Sequence, residues 1–441
     1  MKVGPAVLQT LATQLVQSGA SVTTAVLIAR GLGPAGQGRY ALFVAAVGLL
    51  STLAAVGQYE GNVLVSAGEL SRGRVLLVRS LLQSLAALAI LGVTRGLWRK
   101  WLGPEMGTTG AALLVVVLGA EVLALLFRGI NLGQHHVTAY NAASLTQRLV
   151  YLAGVGTLRV FNALTLLTVL VAWLVAVGTS VVLSGSWIWR RSYVSTLSWP
   201  TIRAGWASSL LQGSRALLTI TLTLLLVRAD VYMLGPMLGV RAIGQISVAS
   251  TLAEYLWYIP SILSSVLFAA VAGNRGPETI AKLCRASRTT VAALVPVALV
   301  LLLLGRSLVP AIYGSAYAEA GTLFVLLVPG MCAISLHLVV DSYFAGSGFP
   351  PISYIAAGAA LLLKVCLNLV AVRWLGIEGA VIVTSIVYVS LLAAKVAAFR
   401  RATGARLALL FRPSWNDLRY TARIARSWAQ RLGQTSADAR A

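Results

Sequence analysis

The chain has 441 residues, 58% of them hydrophobic and 11% charged, with a mean hydropathy of +0.84. No soluble core of this size needs so much apolar surface, so the composition excludes a soluble globular protein and indicates a multi-span membrane protein. The formal charge of +23 comes from 35 Lys and Arg against 12 Asp and Glu; because these basic residues sit mostly in loops and the tail, anionic lipid is the expected partner and nucleic acid is not.

Runs of about 20 apolar residues between polar or glycine-rich breaks predict about twelve helices. They cover 8–29, 41–65, 75–94, 111–130, 145–160, 163–183, 208–228, 242–270, 289–312, 321–342, 352–372 and 377–399. The N-terminus runs into a span containing Gln14 and Gln17 without a small-residue cleavage pattern, which argues against a cleaved signal. With that terminus in the cytoplasm, most basic residues fall on the cytoplasmic side, and only Arg215 and Lys364 stay within the membrane. Both termini are therefore expected in the cytoplasm, in the inner membrane of the cell. Arg79, Arg128, Arg148 and the cluster Arg275, Lys282, Arg285 and Arg288 read as positive-inside residues at cytoplasmic helix ends. Trp98, Trp101, Trp187, Trp189 and Trp199 read as interfacial anchors. Cys284, Cys332 and Cys366 lie too far apart in sequence to suggest a disulfide framework or a zinc site. No nucleophile–base set, phosphate-binding loop or metal spacing occurs, so neither catalysis nor a cofactor is expected.

The stretch Arg30-Gly-Leu-Gly-Pro-Ala-Gly-Gln-Gly-Arg-Tyr40 has an echo about two hundred residues later, in Leu238-Gly-Val-Arg-Ala-Ile-Gly-Gln-Ile246. Pairing Gly33 with Gly239 puts Gly38 opposite Gly244, and Gln14, Gln17 and Ser21 then share offsets with Gln212, Arg215 and Thr219. A repeat this long is a duplicated half. Six spans per half make the halves parallel repeats, which in membrane proteins commonly enclose a transport site. The expected organisation is a six-helix lobe over 1–186, a cytoplasmic linker over 187–206, a second lobe over 207–400 and a basic tail over 401–441. Gly33, Gly36, Gly38 and Gly244 are expected to permit tight turns at the outer ends. In the tail, Trp415, Leu418, Ala422, Ala425 and Leu432 recur at helical spacing among arginines. This is either an amphipathic helix on the inner leaflet or a solvated tail that reinforces topology.

Several stretches together resemble the polysaccharide flippases, the O-antigen and repeat-unit transporters of the multidrug/oligosaccharidyl-lipid/polysaccharide exporter superfamily. They are the Arg30–Tyr40 hinge, Arg228-Ala-Asp-Val-Tyr-Met-Leu-Gly-Pro236 with Gly244 and Tyr258-Ile-Pro260, Ile312-Tyr-Gly314, Tyr317 to Ala320, Gly346-Ser-Gly-Phe-Pro350, and Leu375-Gly-Ile-Glu-Gly-Ala380. The resemblance implies an all-α integral membrane protein, with two six-helix lobes forming a V-shaped cavity open alternately to either side. It implies as cargo an oligosaccharide on a polyprenyl diphosphate, with glycan polymerase and export machinery as partners. Gln134, His135 and His136 stand where such proteins carry variable loop residues, and no role is assigned to them.

Ionisable groups at mid-bilayer cost about 2.5–3.5 kcal/mol on insertion scales, so each intramembrane one is a site candidate. In the first span Thr10, Gln14, Gln17, Ser21 and Thr24 fall on one stripe that faces water or another helix. The matching stripe in the seventh span carries Gln212 and Arg215, whose planar guanidinium suits the diphosphate implied by the resemblance; snorkelling to the cytoplasmic interface is the alternative. Lys364, near the middle of the eleventh span, is a second candidate for the cavity. Glu60 lies toward the inner end of the second span. Glu121 and Glu254 lie near the centres of the fourth and eighth, and either is a counter-ion to a buried cation or a coupling group. His337 and Asp341, one turn apart, form a satisfied polar pair or a proton-linked switch. The alternatives to a flippase are a cation-coupled multidrug exporter of the same superfamily and, from a different class, a membrane glycan polymerase or ligase. The latter usually carry a large outer loop, which this chain lacks.

Overall fold

A computed structural model describes residues 5–65, 73–93, 107–191 and 199–414, without the side chains of 199–216 and a few other positions. Among the described residues the chain is helical throughout, with no strand. Three long helical runs are each divided by one glycine whose backbone is not helical: Gly33 (φ 67°, ψ 177°), Gly239 (φ 80°, ψ 171°) and Gly376 (φ 58°, ψ −137°). That corner of backbone space is closed to residues with a Cβ.

Divided there, the chain gives the twelve long helices that the hydropathy pattern predicts. They are α1 (5–32), α2 (34–55, resumed as Gln58–Val65 after a turn at Val56 and Gly57), α3 (Gly73–Val93), α4 (Gly107–Gly133), α5 (Val137–Val160) and α6 (Leu166–Arg191). Then come α7 (199–238), α8 (240–273, with a tight turn at Glu254–Trp257), α9 (Pro277–Tyr313), α10 (Ala318–Gly346), α11 (351–375) and α12 (377–403). A short α13 (Leu407–Phe411) follows. Exposed apolar side chains such as Ile90, Val182 and Leu303 need a nonaqueous cover, as in a multi-pass membrane protein.

Local chemistry sets the helix ends. Gly404 closes α12 in the left-handed conformation, with its N–H donating to the Arg400 carbonyl at 2.8 Å. Pro351 opens α11 at a position that needs no N–H. Thr165 and Thr168 cap α6 reciprocally, each hydroxyl accepting from the other's backbone N–H.

The expected hinge over 30–40 shrinks to a single residue. Gly33 carries the turn, Pro34 starts α2, and Gly36, Gly38 and Gly244 are helical with no positive φ. Gly38 and Gly244 therefore serve close approach, not turning. A Cβ on Gly38 would fall 1.8 Å from the Val240 carbonyl oxygen, and one on Gly244 would fall 1.8 Å from the Pro34 carbonyl oxygen. The two contacts exchange under the sequence repeat, so α2 and α8 cross backbone to backbone about a local two-fold. Gln37 donates to Ser247 Oγ at 3.3 Å and Tyr232 donates to the Ala45 carbonyl at 2.8 Å beside this crossing.

The chain groups into two compact units, Met1–Val248 with Ile312–Tyr317, and Ala249–Ala311 with Ala318–Ala441. The Gly38–Gly244 crossing ties α7 and the start of α8 to the first unit. Ile312–Tyr317 joins it because Arg30 Nε donates to the Ile312 carbonyl, Gln245 to the Ala316 carbonyl and the Tyr317 hydroxyl to the Ala29 carbonyl. In the second unit, Leu267, Leu283, Val339, Phe344, Val396 and Phe399 form the core between α8, α9, α10 and α12.

Gly38→Ala or Gly244→Ala places a methyl group inside a backbone carbonyl, and overpacking of this kind costs about 1–3 kcal/mol or more. Either variant is expected to lower the apparent melting temperature and yield of detergent-purified protein. Gly19→Ala, where an added Cβ meets nothing within 4 Å, is expected to leave both unchanged.

Candidate functional site

In the first unit the polar interior is organised by Glu121 on α4. Its Oε1 accepts from Trp173 Nε1 on α6 at 2.8 Å and from Gln147 Nε2 on α5 at 3.1 Å, while its Oε2 lies 3.8 Å from Arg128 Nη2. Arg128 also donates to Gln147 Oε1 at 3.3 Å. Glu121 thus faces a cation, Arg128, two turns on along the same helix. Tyr40, Phe43 and Tyr151 pack around Trp173, with the Tyr40 and Tyr151 hydroxyls 2.9 Å apart. This aromatic shell dries the acid and strengthens its bonds.

Arg79 departs from its expected place. The positive-inside pattern puts it at an interface, yet its side chain on α3 is fully buried and donates through Nη2 to Asn62 Oδ1 on α2. Asn62 in turn donates to the Leu126 carbonyl of α4 at 3.2 Å, so one polar chain links three helices. Gln14 and Gln17 are half-buried on α1, and Thr24 below them is buried. Gln14 Oε1 is enclosed without a hydrogen-bond partner. Gln212 and Arg215 lie on α7 in the same unit, but their side chains, like that of Glu60 on α2, lie outside the described residues. So does the basic tail from residue 415 onward.

In the second unit Asp341 on α10 accepts from Lys395 Nζ on α12 at 2.5 Å. Lys395 is buried, and its ammonium lies 4.7 Å from the centre of the Phe344 ring. His337, one turn before Asp341, is buried too, and its Nδ1 has no hydrogen-bond partner. Sequence reasoning pairs His337 with Asp341 and misses Lys395, whose place near the end of the last span reads as ordinary positive-inside charge. The small-residue approach of Gly330 to Ser385, whose Oγ donates to the Leu326 carbonyl at 2.8 Å, brings α10 and α12 close enough for the pair to form.

Lys364 on α11 has no accessible surface in this state, so it does not line an open cavity here. Its ammonium lies 5.6 Å from the centre of the Tyr388 ring on α12, with Asn368 buried one turn away. Glu254 opens the tight turn in α8 and is half-buried, with Tyr255 and Tyr258 stacked beside it at 5.3 Å. Burial, and then the Arg191 charge, lower the imidazole pKa of His136, in the turn between α4 and α5, from its ordinary value.

Removing one partner of a buried ion pair costs about 3–5 kcal/mol, and replacing both by apolar residues is often neutral. Asp341 keeps about a fifth of its side chain exposed, so the low end of that range applies. Lys395→Met is expected to destabilise the purified protein clearly, and Lys395→Met with Asp341→Leu to recover most of the loss. A double-mutant cycle of apparent melting temperatures measures the coupling.

No family model matches the chain, and no curated protein matches it in sequence. Solved structures do match over nearly its whole length. The lipid II flippase MurJ in an inward closed conformation is 13% identical with a TM-score of 0.70, covering 95% of this chain and 93% of that one. An inward-facing multidrug resistance transporter of the MATE family, described as part of the MOP superfamily, is 16% identical with a TM-score of 0.68, covering 91% and 98%. A MOP superfamily transporter from Pyrococcus furiosus, noted for the reverse polarity of its binding pocket, is 15% identical with a TM-score of 0.65, covering 91% and 95%. The chain shares the twelve-helix fold of these transporters and flippases.

Proposed function

We propose that the protein is a flippase of the multidrug/oligosaccharidyl-lipid/polysaccharide exporter superfamily. It carries an oligosaccharide on a polyprenyl diphosphate from the cytoplasmic to the outer leaflet of the inner membrane by alternating access, for assembly of a cell-surface polysaccharide. The observation that carries this reading is the sign of the enclosed charge. Among the described residues the buried Lys, Arg, Asp and Glu side chains are Arg79, Lys364 and Lys395 against Asp230, and with Asp341 offsetting Lys395 the excess is one positive charge. A net basic interior of low dielectric attracts an anionic headgroup and repels the cationic substrates typical of drug exporters. The fold likeness to a lipid II flippase supports a lipid-linked cargo.

In this reading Arg215 holds the diphosphate, and Gln14, Gln17 and Gln212 on the repeat-related stripes of α1 and α7 bind the polar groups beside it. Lys364, enclosed in the present state, raises the local potential. The Asp341–Lys395 pair with His337 is the first choice for a coupling element, ahead of Glu254 and Glu60, because its charges are already paired within proton-transfer reach. Both termini are cytoplasmic.

Two measurements test the reading. A deletion strain is expected to accumulate complete polyprenyl-linked repeat units on the cytoplasmic side, seen by mass analysis of extracted lipids and reversed by complementation. An unchanged lipid pool with new sensitivity to cationic dyes points instead to the multidrug exporter suggested by the MATE-family neighbours. At normal expression Arg215→Ala is expected to abolish complementation while Arg215→Lys keeps part of it, because Lys preserves the charge and loses the bidentate fork. Full activity of the Ala variant removes that role.

A further inference from the structure

The first unit carries a groove that the transport reading does not use. It is a shallow cavity of about 320 Å³ on the outside of α3, α4 and α6, floored by apolar side chains including Leu77, Leu81, Phe127 and Val182. Gly185 leaves room for the floor, since a Cβ there would meet the Phe127 ring at 2.9 Å. One end of the groove is basic. Trp189 and Arg190 line it, and the Arg74 guanidinium at the start of α3 stacks over the Trp189 ring at 4.6 Å while its Nη2 donates to the Trp189 carbonyl at 3.2 Å. That clamp holds the cation in one orientation, yet Arg74 Nε is enclosed and has no hydrogen-bond partner. A buried guanidinium N–H without an acceptor is costly unless something brings one.

The shape and the chemistry agree on one occupant. The volume sits at the low end of ligand-sized pockets, about 300–1,000 Å³, which suits part of one acyl chain. The basic end lies where α3 begins and α6 ends, the depth at which Trp and Arg mark a membrane–water interface. Arg190 and Arg191 occupy the last turn of α6, Arg191 stacked on Trp187 at 4.9 Å, and among the described residues no Asp or Glu lines the groove. A planar guanidinium fork matches phosphate oxygens, and several cations without an acid favour a headgroup of net negative charge over a zwitterionic one. We infer that this groove is a specific site for an anionic phospholipid, with one acyl chain along the α3–α4–α6 face and its phosphate on Arg74 and Arg190. The site goes beyond the proposed cargo pathway and does not depend on it.

The full-length protein in detergent, without cargo, is irradiated with phosphatidylglycerol or phosphatidylcholine bearing a photoactivatable acyl chain, and the labelled peptides are mapped. Adducts are expected on the peptides containing Leu77–Leu81 and Val181–Trp189, with the glycerol lipid well above the choline lipid. Labelling there is expected to fall about five-fold for each of Arg74→Ala and Arg190→Ala. Arg190 is exposed, so Arg190→Ala alone decides the matter if Arg74→Ala lowers folded yield, and unlabelled phosphatidylglycerol is expected to compete in the unsubstituted protein. Equal labelling by the two lipids, adducts concentrated elsewhere, or labelling unchanged in Arg190→Ala overturns the site. None of these readings moves with transport, so loss of the flippase reading and loss of the lipid site are separate results.

Discussion

The first unit depends on one contact made without side chains. At Gly38 and Gly244 the crossing helices α2 and α8 meet through a glycine on each helix and a carbonyl oxygen of the other, Val240 in one case and Pro34 in the other. Helices in lipid gain nothing from burying apolar surface against each other, so close backbone approach and polar bonds must hold them. Here both occur together, since Gln37–Ser247 and Tyr232–Ala45 lie beside the crossing. The turns at Gly33 and Gly239 come five residues earlier on each side and deliver the two helices into the contact at equivalent positions. A duplication that copies both the turn glycine and the contact glycine creates a self-complementary crossing in one step, because each copy supplies the surface that the other needs.

That crossing explains why the repeat is the most legible feature of the sequence. Glycines that must turn or must admit another backbone leave a residue-level trace, and their spacing survives where the surrounding apolar residues can exchange freely. The twelve spans are legible for a similar reason: the bilayer demands about 20 apolar residues per crossing, whatever the tertiary packing. The division of labour among the glycines is not legible. Gly33 and Gly38 look alike in a string of glycines, and only the backbone shows that the first turns the chain while the second admits a carbonyl.

The buried cations show where the reading of charge stops. Arg79 and Lys395 both stand within a few turns of a predicted cytoplasmic end, where long basic side chains normally snorkel. A positive-inside count registers their sign and depth and carries no information about which way they point. Burial is decided by partners from other helices: Asn62 on α2 for Arg79, Asp341 on α10 for Lys395. The sequence offers Glu121 as a counter-ion or a coupling group because a mid-span acid needs a partner, but its bond to Trp173 on α6 rests on packing alone. Acids are rarer than bases in this chain, 12 against 35, so each one carries more information about its surroundings than a base does.

The same imbalance bears on mechanism. Glu121 and Asp341 are both already engaged, one by Arg128, Gln147 and Trp173 and the other by Lys395. A carboxylate committed to a cation ties the helices that carry the two, so rearrangement of the pair and movement of its helices are linked. In the second unit the pair joins α10 to α12, with His337 buried one turn from the carboxylate. Any movement that separates those helices parts Lys395 from Asp341, and any loss of that ion pair weakens their tie. In the proposed flippase this reciprocity supplies coupling without a dedicated ion site. In that proposal the basic interior selects the anionic cargo, and the few acids set when its cations are released from their partners.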